Sequence, residues 1–264
     1  MSERITRRDL PPKTGVADFT RGIADMLFPV IEGGGGRLMQ RSKIRNRLIT
    51  LLKPLKDRLP ASPGSIAEKF FFLLTEIKNK LEDDASFIAS NDPAATDVDE
   101  VIMTYPGFYA ILVYRIANSL AGENIPLIPR MMTEYAHSMT GIDIHPKASI
   151  ESPFFIDHGT GIVIGETSII GKRVKLYQGV TIGALSVAKS MASTKRHPTI
   201  ENDVIIYAGS TILGGETIIG NNSIIGGNVW LTESVAPFSV VYHENKVTVR
   251  KRTDNGAETK NKKD

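Results

Sequence analysis

Residues 162–182 read IVIGETSIIGKRVKLYQGVTI, and their spacing decides the fold. Ile164, Ile170, Leu176 and Ile182 stand six residues apart. The same beat runs outward in both directions. Ile144, Ile150, Ile156 and Ile162 precede it, separated from it by a two-residue slip; Ile200, Ile206 and Ile212 follow it in step, then, after one extra residue, Ile219, Ile225 and Leu231. Small or branched residues recur four places after many anchors, at Ser168, Val174, Val180, Val204, Ser210, Ser223 and Val229. A period of six fits neither an amphipathic helix nor a hairpin array. It fits a parallel β-helix, in which each short strand offers one aliphatic side chain to the interior and the chain turns at a small residue.

Upstream the pattern is helical. The run Gly33 to Gly36 marks a loop, because helix interiors tolerate glycine poorly. Ser65 with Glu68 predicts a capped helix start, followed by an apolar face of Ile66, Phe70, Leu73, Leu74, Ile77 and Leu81. Asn91-Asp92-Pro93 predicts another start, and Tyr105-Pro106-Gly107 a third, leading through Phe108, Ile111, Leu112 and Ile116. Pro126 and Pro129 open a last helical stretch that ends near Gly141. The expected organisation is an unassigned helical extension over 1–60, a helical domain over 61–141, a β-helix over 142–242 and a polar, disordered tail over 243–264. The beat lapses between Ala184 and Thr199. This polar stretch is expected to leave the coil and return at Arg196-His197-Pro198.

The composition narrows the function. The chain has 264 residues, 41% of them hydrophobic and 23% charged, as in ordinary globular proteins. It has no cysteine, which excludes disulfides, thiolate metal sites and a cysteine nucleophile. The start lacks the apolar run of a secretory signal, and no run of about eighteen apolar residues occurs, so a soluble cytoplasmic protein is expected. Residues 37–58 hold eight Lys/Arg against one acid, Asp57. Ile44, Leu48, Leu51, Leu52 and Leu55 interleave at helical spacing, which reads as a helix with a solvated basic face. A nucleic-acid-binding module using this block is the alternative of a different class. Neither nucleic acid nor membrane is an expected partner.

Of the histidines, three occupy informative places: Asp143-Ile144-His145-Pro146 opens the first coil, Asp157-His158-Gly159 follows an anchor, and Arg196-His197-Pro198 closes the polar stretch. A coil takes about eighteen residues, or three hexads, so Asp143 and Asp157-His158 lie within one coil of each other. A carboxylate on an imidazole fixes its tautomer and leaves the other nitrogen to accept a proton. His145 before proline reads as corner-building, and His137 and His243 as structural or exposed. No close histidine pair supplies two metal ligands, unlike the zinc site of γ-class carbonic anhydrases, and no metal is expected.

The segments Asp92-Pro93-Ala94-Ala95, Tyr105-Pro106-Gly107-Phe108, Tyr114-Arg115-Ile116-Ala117, Gly141 to Pro146, Asp157-His158-Gly159-Thr160-Gly161, Val163 to Thr167 and Lys195-Arg196-His197-Pro198-Thr199-Ile200 together resemble serine acetyltransferases of the hexapeptide-repeat superfamily. The resemblance implies an α+β chain: an all-helical N-terminal domain followed by a left-handed parallel β-helix. It implies acetyl transfer from acetyl-CoA to L-serine, with His158 as general base supported by Asp143. Asp92 and Asp157 would hold the amino group of serine; Arg196 and His197 would hold its carboxylate. Acetyl-CoA, the cosubstrate, is expected in a groove between subunits near Gly183, Ala184, Ala208 and Gly209. A homotrimer or a dimer of trimers is implied, with L-cysteine as a feedback inhibitor. Another acyl-CoA transferase of this fold, acting on an amino sugar or a different amino acid, is the alternative. Tyr207 stands where relatives carry a small residue. The chain also ends in Asn-Lys-Lys-Asp rather than the isoleucine with which many relatives dock into cysteine synthase, which argues against that complex.

Overall fold

The computed structural model describes residues 10–29, 37–185 and 194–244. The glycine run, residues 186–193 of the polar stretch and the tail from 245 onward, with the loops and disorder expected there, lie outside the described residues. The order is α1 (Lys13–Leu27), α2 (Arg37–Leu52), a 3-10 turn (Lys53–Arg58), α3 (Pro63–Asn91), α4 (Val98–Thr104), α5 (Pro106–Gly122) and α6 (Ile128–Thr140), then short strands only. No described helix is long and apolar enough to cross a membrane.

α2 buries Ile44, Leu48, Leu51 and Leu52, while Arg41, Lys43 and Arg47 stay at the surface, as the spacing predicts. α1 packs on α2, α5 and α6, so the first described helix shares its core with the last. Two helix boundaries differ from expectation. α3 begins at Pro63, and its cap is Ser62, whose Oγ accepts the Ser65 N–H at 3.2 Å; the Ser65–Glu68 box is not used. Proline at the first helical position needs no partner for its missing N–H, so the helix starts there. Asn91-Asp92 closes α3 instead of opening a helix, and α4 is capped later by Asp97, which accepts the Glu100 N–H at 2.8 Å.

The strands stack into three parallel sheets, one strand per sheet in each of the first four turns; the fifth turn adds strands to sheets one and three and meets sheet two through the bridge Ile219–Val235. Sheet one orders β1 (Asp143–Ile144), β4 (Val163–Ile164), β7 (Thr181–Gly183), β10 (Thr211–Leu213) and β13 (Trp230–Leu231). Sheet two holds β2 (Ser149–Ile150), β5 (Ile169–Ile170), β8 (Thr199–Ile200) and β11 (Ile218–Ile219). Sheet three holds β3 (Phe154–Ile156), β6 (Val174–Leu176), β9 (Ile205–Ile206), β12 (Ile224–Ile225) and β14 (Val240–Val241). This is the β-helix that the period predicts. Every anchor except the half-buried Leu231 is buried, and so are the small residues four places on, including Ser168, Ser210 and Ser223. A fully buried isoleucine contributes about 1.5–3 kcal/mol, so the stacked file is the main stabiliser of the coils. The register survives the polar stretch: Ile169 pairs with Thr199 and Ile170 with Ile200.

The helices are fastened to the first coil by polar groups. Asp84 of α3 is fully buried and pairs with Arg115 of α5. It also accepts the Phe154 N–H at 2.9 Å and the Ser152 hydroxyl at 3.0 Å. Arg115 donates onward to Ile150 O at 3.1 Å and Glu151 O at 3.2 Å. The Tyr114 hydroxyl donates to Ala148 O at 2.6 Å. At the start of α5, a Cβ on Gly107 would stand 2.2 Å from Ile156 O, so only glycine lets this helix approach β3.

Candidate active site

The corner between sheets three and one carries Asp157, His158, Tyr177, Tyr207, Ala208 and Gly209. His158 adopts φ +56°, and its side chain is 72% exposed. Its Nδ1 lies 3.7 Å from Asp157 Oδ1, an ion-pair distance longer than a hydrogen bond. Asp92 reaches the same corner from the end of α3. One of its oxygens accepts the Ala94 N–H at 2.8 Å and the other the Tyr105 hydroxyl at 2.6 Å. That hydrogen bond is the main cause that pushes the Tyr105 pKa up to about 12, and the negative charge of Asp157 adds to it. Asp92 and Asp157 therefore act on one spot, a place suited to an ammonium group. Directly along the corner, the rings of Tyr177 and Tyr207 stack at 4.9 Å and 20°.

The corner between sheets one and two carries His145, Glu166, Thr167, Ala184, Arg196 and His197. Arg196 pairs with Glu166, which also holds Lys147 at 3.2 Å. His197 is only 7% exposed. Burial, with Arg196 and Lys195 adding, pulls its pKa down to about 4. Its Nδ1 meets the Thr167 N–H at 3.1 Å and the Thr167 hydroxyl at 2.8 Å. Burial also lowers the His145 pKa.

The structure thus brings together Asp92, Asp157 and His158 at one edge of sheet one, and Arg196 with His197 at its other edge. Asp143 sits on β1 between them, where it accepts from Arg130 Nη1 at 3.2 Å, and no hydrogen bond joins it to His158 among the described residues. Glu134, His137 and Asp143 cluster within 4.8 Å, with Arg130 supplying their positive charge. Gly183 ends β7 beside Ala184, and Ala208 with Gly209 lies on the opposite edge. The Gly209 N–H is already donated to Gln178 O at 2.9 Å. Sequence reasoning assigned no role to Tyr105, Arg130, Glu166 or Thr167. The last two stand inside the quoted Val163-to-Thr167 segment, and their corner position in the hexad was the available signal.

A coiled stack of hexads with a histidine and carboxylates on one corner and a guanidinium on the next matches the architecture of the hexapeptide-repeat acyltransferase superfamily. No family model matches the chain. Over 183 residues it is 48% identical to the plasmid serine acetyltransferase of Synechococcus elongatus, a match covering 67% of this chain and 57% of that protein. The chain therefore spans little more than half the length of that curated relative. It superposes on serine acetyltransferase isoform 3 of Entamoeba histolytica, solved in complex with cysteine, with a TM-score of 0.77 and 31% identity, covering 90% of this chain and 85% of that one. A serine acetyltransferase solved in complex with CoA gives a TM-score of 0.60 at 27% identity, covering 87% and 98%. The chain belongs to the serine acetyltransferase family.

Proposed function

We propose that this protein moves the acetyl group of acetyl-CoA onto the hydroxyl of L-serine, giving O-acetyl-L-serine and CoA, the first step of cysteine biosynthesis from serine. The observation that carries this reading is the charge layout of the two corners. Asp92 and Asp157 suit the ammonium of an amino acid, and Arg196 with His197 suits its carboxylate; a sugar acceptor needs no such carboxylate clamp. The membership of the family and the CoA complex of a relative support acetyl-CoA as donor.

In this reading His158 accepts the serine hydroxyl proton as that oxygen attacks the thioester carbon. The carbon–sulfur bond then breaks, and the same proton passes to the leaving thiolate. General-base help of this kind contributes about 10²–10⁴ in rate. Backbone amides near Gly183 and Ala184 would receive the developing oxyanion. Asp143 would orient the imidazole only by exchanging Arg130 for His158 as the site fills.

The two halves of the clamp occupy opposite edges of sheet one in a single chain. Side-by-side association, setting one subunit's Asp157–His158 corner against a neighbour's Arg196–His197 corner, joins them. A homotrimer, alone or paired, closes this arrangement. L-cysteine presents the same amino and carboxylate groups and would compete with serine; a relative's complex with cysteine is consistent with that. An acceptor screen with acetyl-CoA, read by thiol release, tests the proposal. Faster turnover on an amino sugar or another amino acid than on serine would reject it.

A further inference from the structure

Thr167 pins the return of the polar stretch, and the capacity of its hydroxyl is fully used. Oγ1 accepts the Arg196 N–H at 2.9 Å and the His197 N–H at 3.1 Å. Its own backbone N–H points at His197 Nδ1 from 3.1 Å, and Oγ1 lies 2.8 Å from the same nitrogen. A backbone N–H can only donate, so Nδ1 must offer a lone pair to it. With two N–H groups already on Oγ1, the hydroxyl proton is what remains for Nδ1. Nδ1 then carries no proton. An imidazolium would point a second N–H at the first, so the ring is neutral with its proton on Nε2. Beneath it, a Cβ on Gly165 would stand 2.0 Å from both Nε2 and Cδ2, so Gly165 gives the ring its place.

We propose that Thr167 is a positioning residue that holds His197 as a neutral Nε2–H donor, so that the substrate carboxylate meets one cation, Arg196, and one uncharged donor. This rests on the serine acetyltransferase reading. The groups facing His197 agree with it. Arg196 and Lys195 disfavour a further positive charge, as does His145, and Glu166 is engaged by Arg196 and Lys147. The consequence is a division between two imidazoles. His197 keeps one form through the pH range in which an ordinary histidine titrates, and the proposed mechanism leaves proton transfer to His158 alone. Hydrogen bonds from neutral donors are also weaker than charge-assisted ones, which favours release of the acetylated product.

Imidazole ¹⁵N NMR of the histidine-labelled full chain tests this, with the His197 signals identified by their loss in His197→Gln. The expected result is an unprotonated Nδ1 and a protonated Nε2 from about pH 5 to pH 8. Thr167→Val should raise the serine KM about tenfold, the equivalent of one or two lost hydrogen bonds, and leave the acetyl-CoA KM and kcat close to wild type. Thr167→Ser should restore the serine KM. A cationic or Nδ1-protonated His197 in the wild-type protein near pH 7 overturns the proposal, as does a Thr167→Val trimer with unchanged serine KM. Absence of serine-dependent thiol release from the wild type overturns the acetyltransferase reading itself, and the carboxylate role of His197 with it. The tautomer measurement bears on Thr167 alone.

Discussion

Replacing Asp84 with alanine tests how firmly the helices hold the first coil and, through it, the site. The carboxylate is fully buried and accepts from two nitrogens of Arg115, the Ser152 hydroxyl and the Phe154 N–H. Its loss leaves the Arg115 guanidinium, 5% exposed, without a counter-charge. Removing one partner of a buried pair costs about 3–5 kcal/mol, and an orphaned buried N–H adds about 1 kcal/mol. For a chain of this size each kcal/mol is worth about 2–4 °C, so Asp84→Ala should lower Tm by roughly 10–20 °C. Asp84→Leu combined with Arg115→Met should recover most of that loss, because the charges then disappear together. Asp92 caps the same helix two turns on, so the serine KM should rise in Asp84→Ala before kcat falls. Scanning calorimetry at fixed protein concentration, with sedimentation to monitor assembly, gives the answer. A Tm within about 2 °C of wild type would refute the claim that this pair fastens the two parts.

Other outcomes follow from the corners. His158→Ala should lower kcat by about 10²–10⁴ while the proposed trimer and acetyl-CoA binding persist, as read by sedimentation, thiol release and equilibrium dialysis. Arg196→Ala should act mainly on the serine KM, since the carboxylate is bound alike in ground and transition states. Co-refolded with His158→Ala, it should regain activity above either variant alone, because some interfaces then pair two intact corners; no recovery would count against a shared site. The depressed pKa of His197, about 4 against an unfolded value near 6.5, means that the unfolded chain binds more protons between those values. Stability should therefore fall as pH drops from about 6.5 toward 4, by up to about 3 kcal/mol from this residue. Urea titrations of His197→Gln should show a flatter acid limb.

The coils were legible because burial repeats with the chain. An isoleucine every sixth residue has no other arrangement that hides it, and all the anchors from Ile144 to Ile225 are buried. The corners were less so. Asp92 carries the signature of a helix start, yet Ser62 and Pro63 begin α3 earlier and let it run to Asn91, which turns Asp92 into an end cap facing Tyr105. Ser65 lost the capping role for the same reason. Counting residues per coil puts Asp143 and His158 within one turn of each other, and the structure shows no hydrogen bond between them among the described residues. Counting could not show that Arg130, contributed by a helix outside the repeat, takes the carboxylate first. Thr167 was invisible for a different reason. Its partners lie about thirty residues on, across a stretch whose length no period constrains.

That stretch has a property the rest of the domain lacks. Between anchors the count is rigid: one inserted residue rotates each later side chain off the core unless a corner absorbs it, as happens with two residues between Ile156 and Ile164 and with one just before Ile218. From Ala184 to Pro198 the count is suspended, because β8 resumes beside β5 in the register the coil requires. The anchors on either side are held in step by the β5–β8 pairing and by Thr167, which receives the returning backbone. The length of this stretch is thus the one variable by which the proposed carboxylate clamp of Arg196 and His197 could be shifted while the stacked scaffold beneath it keeps its register.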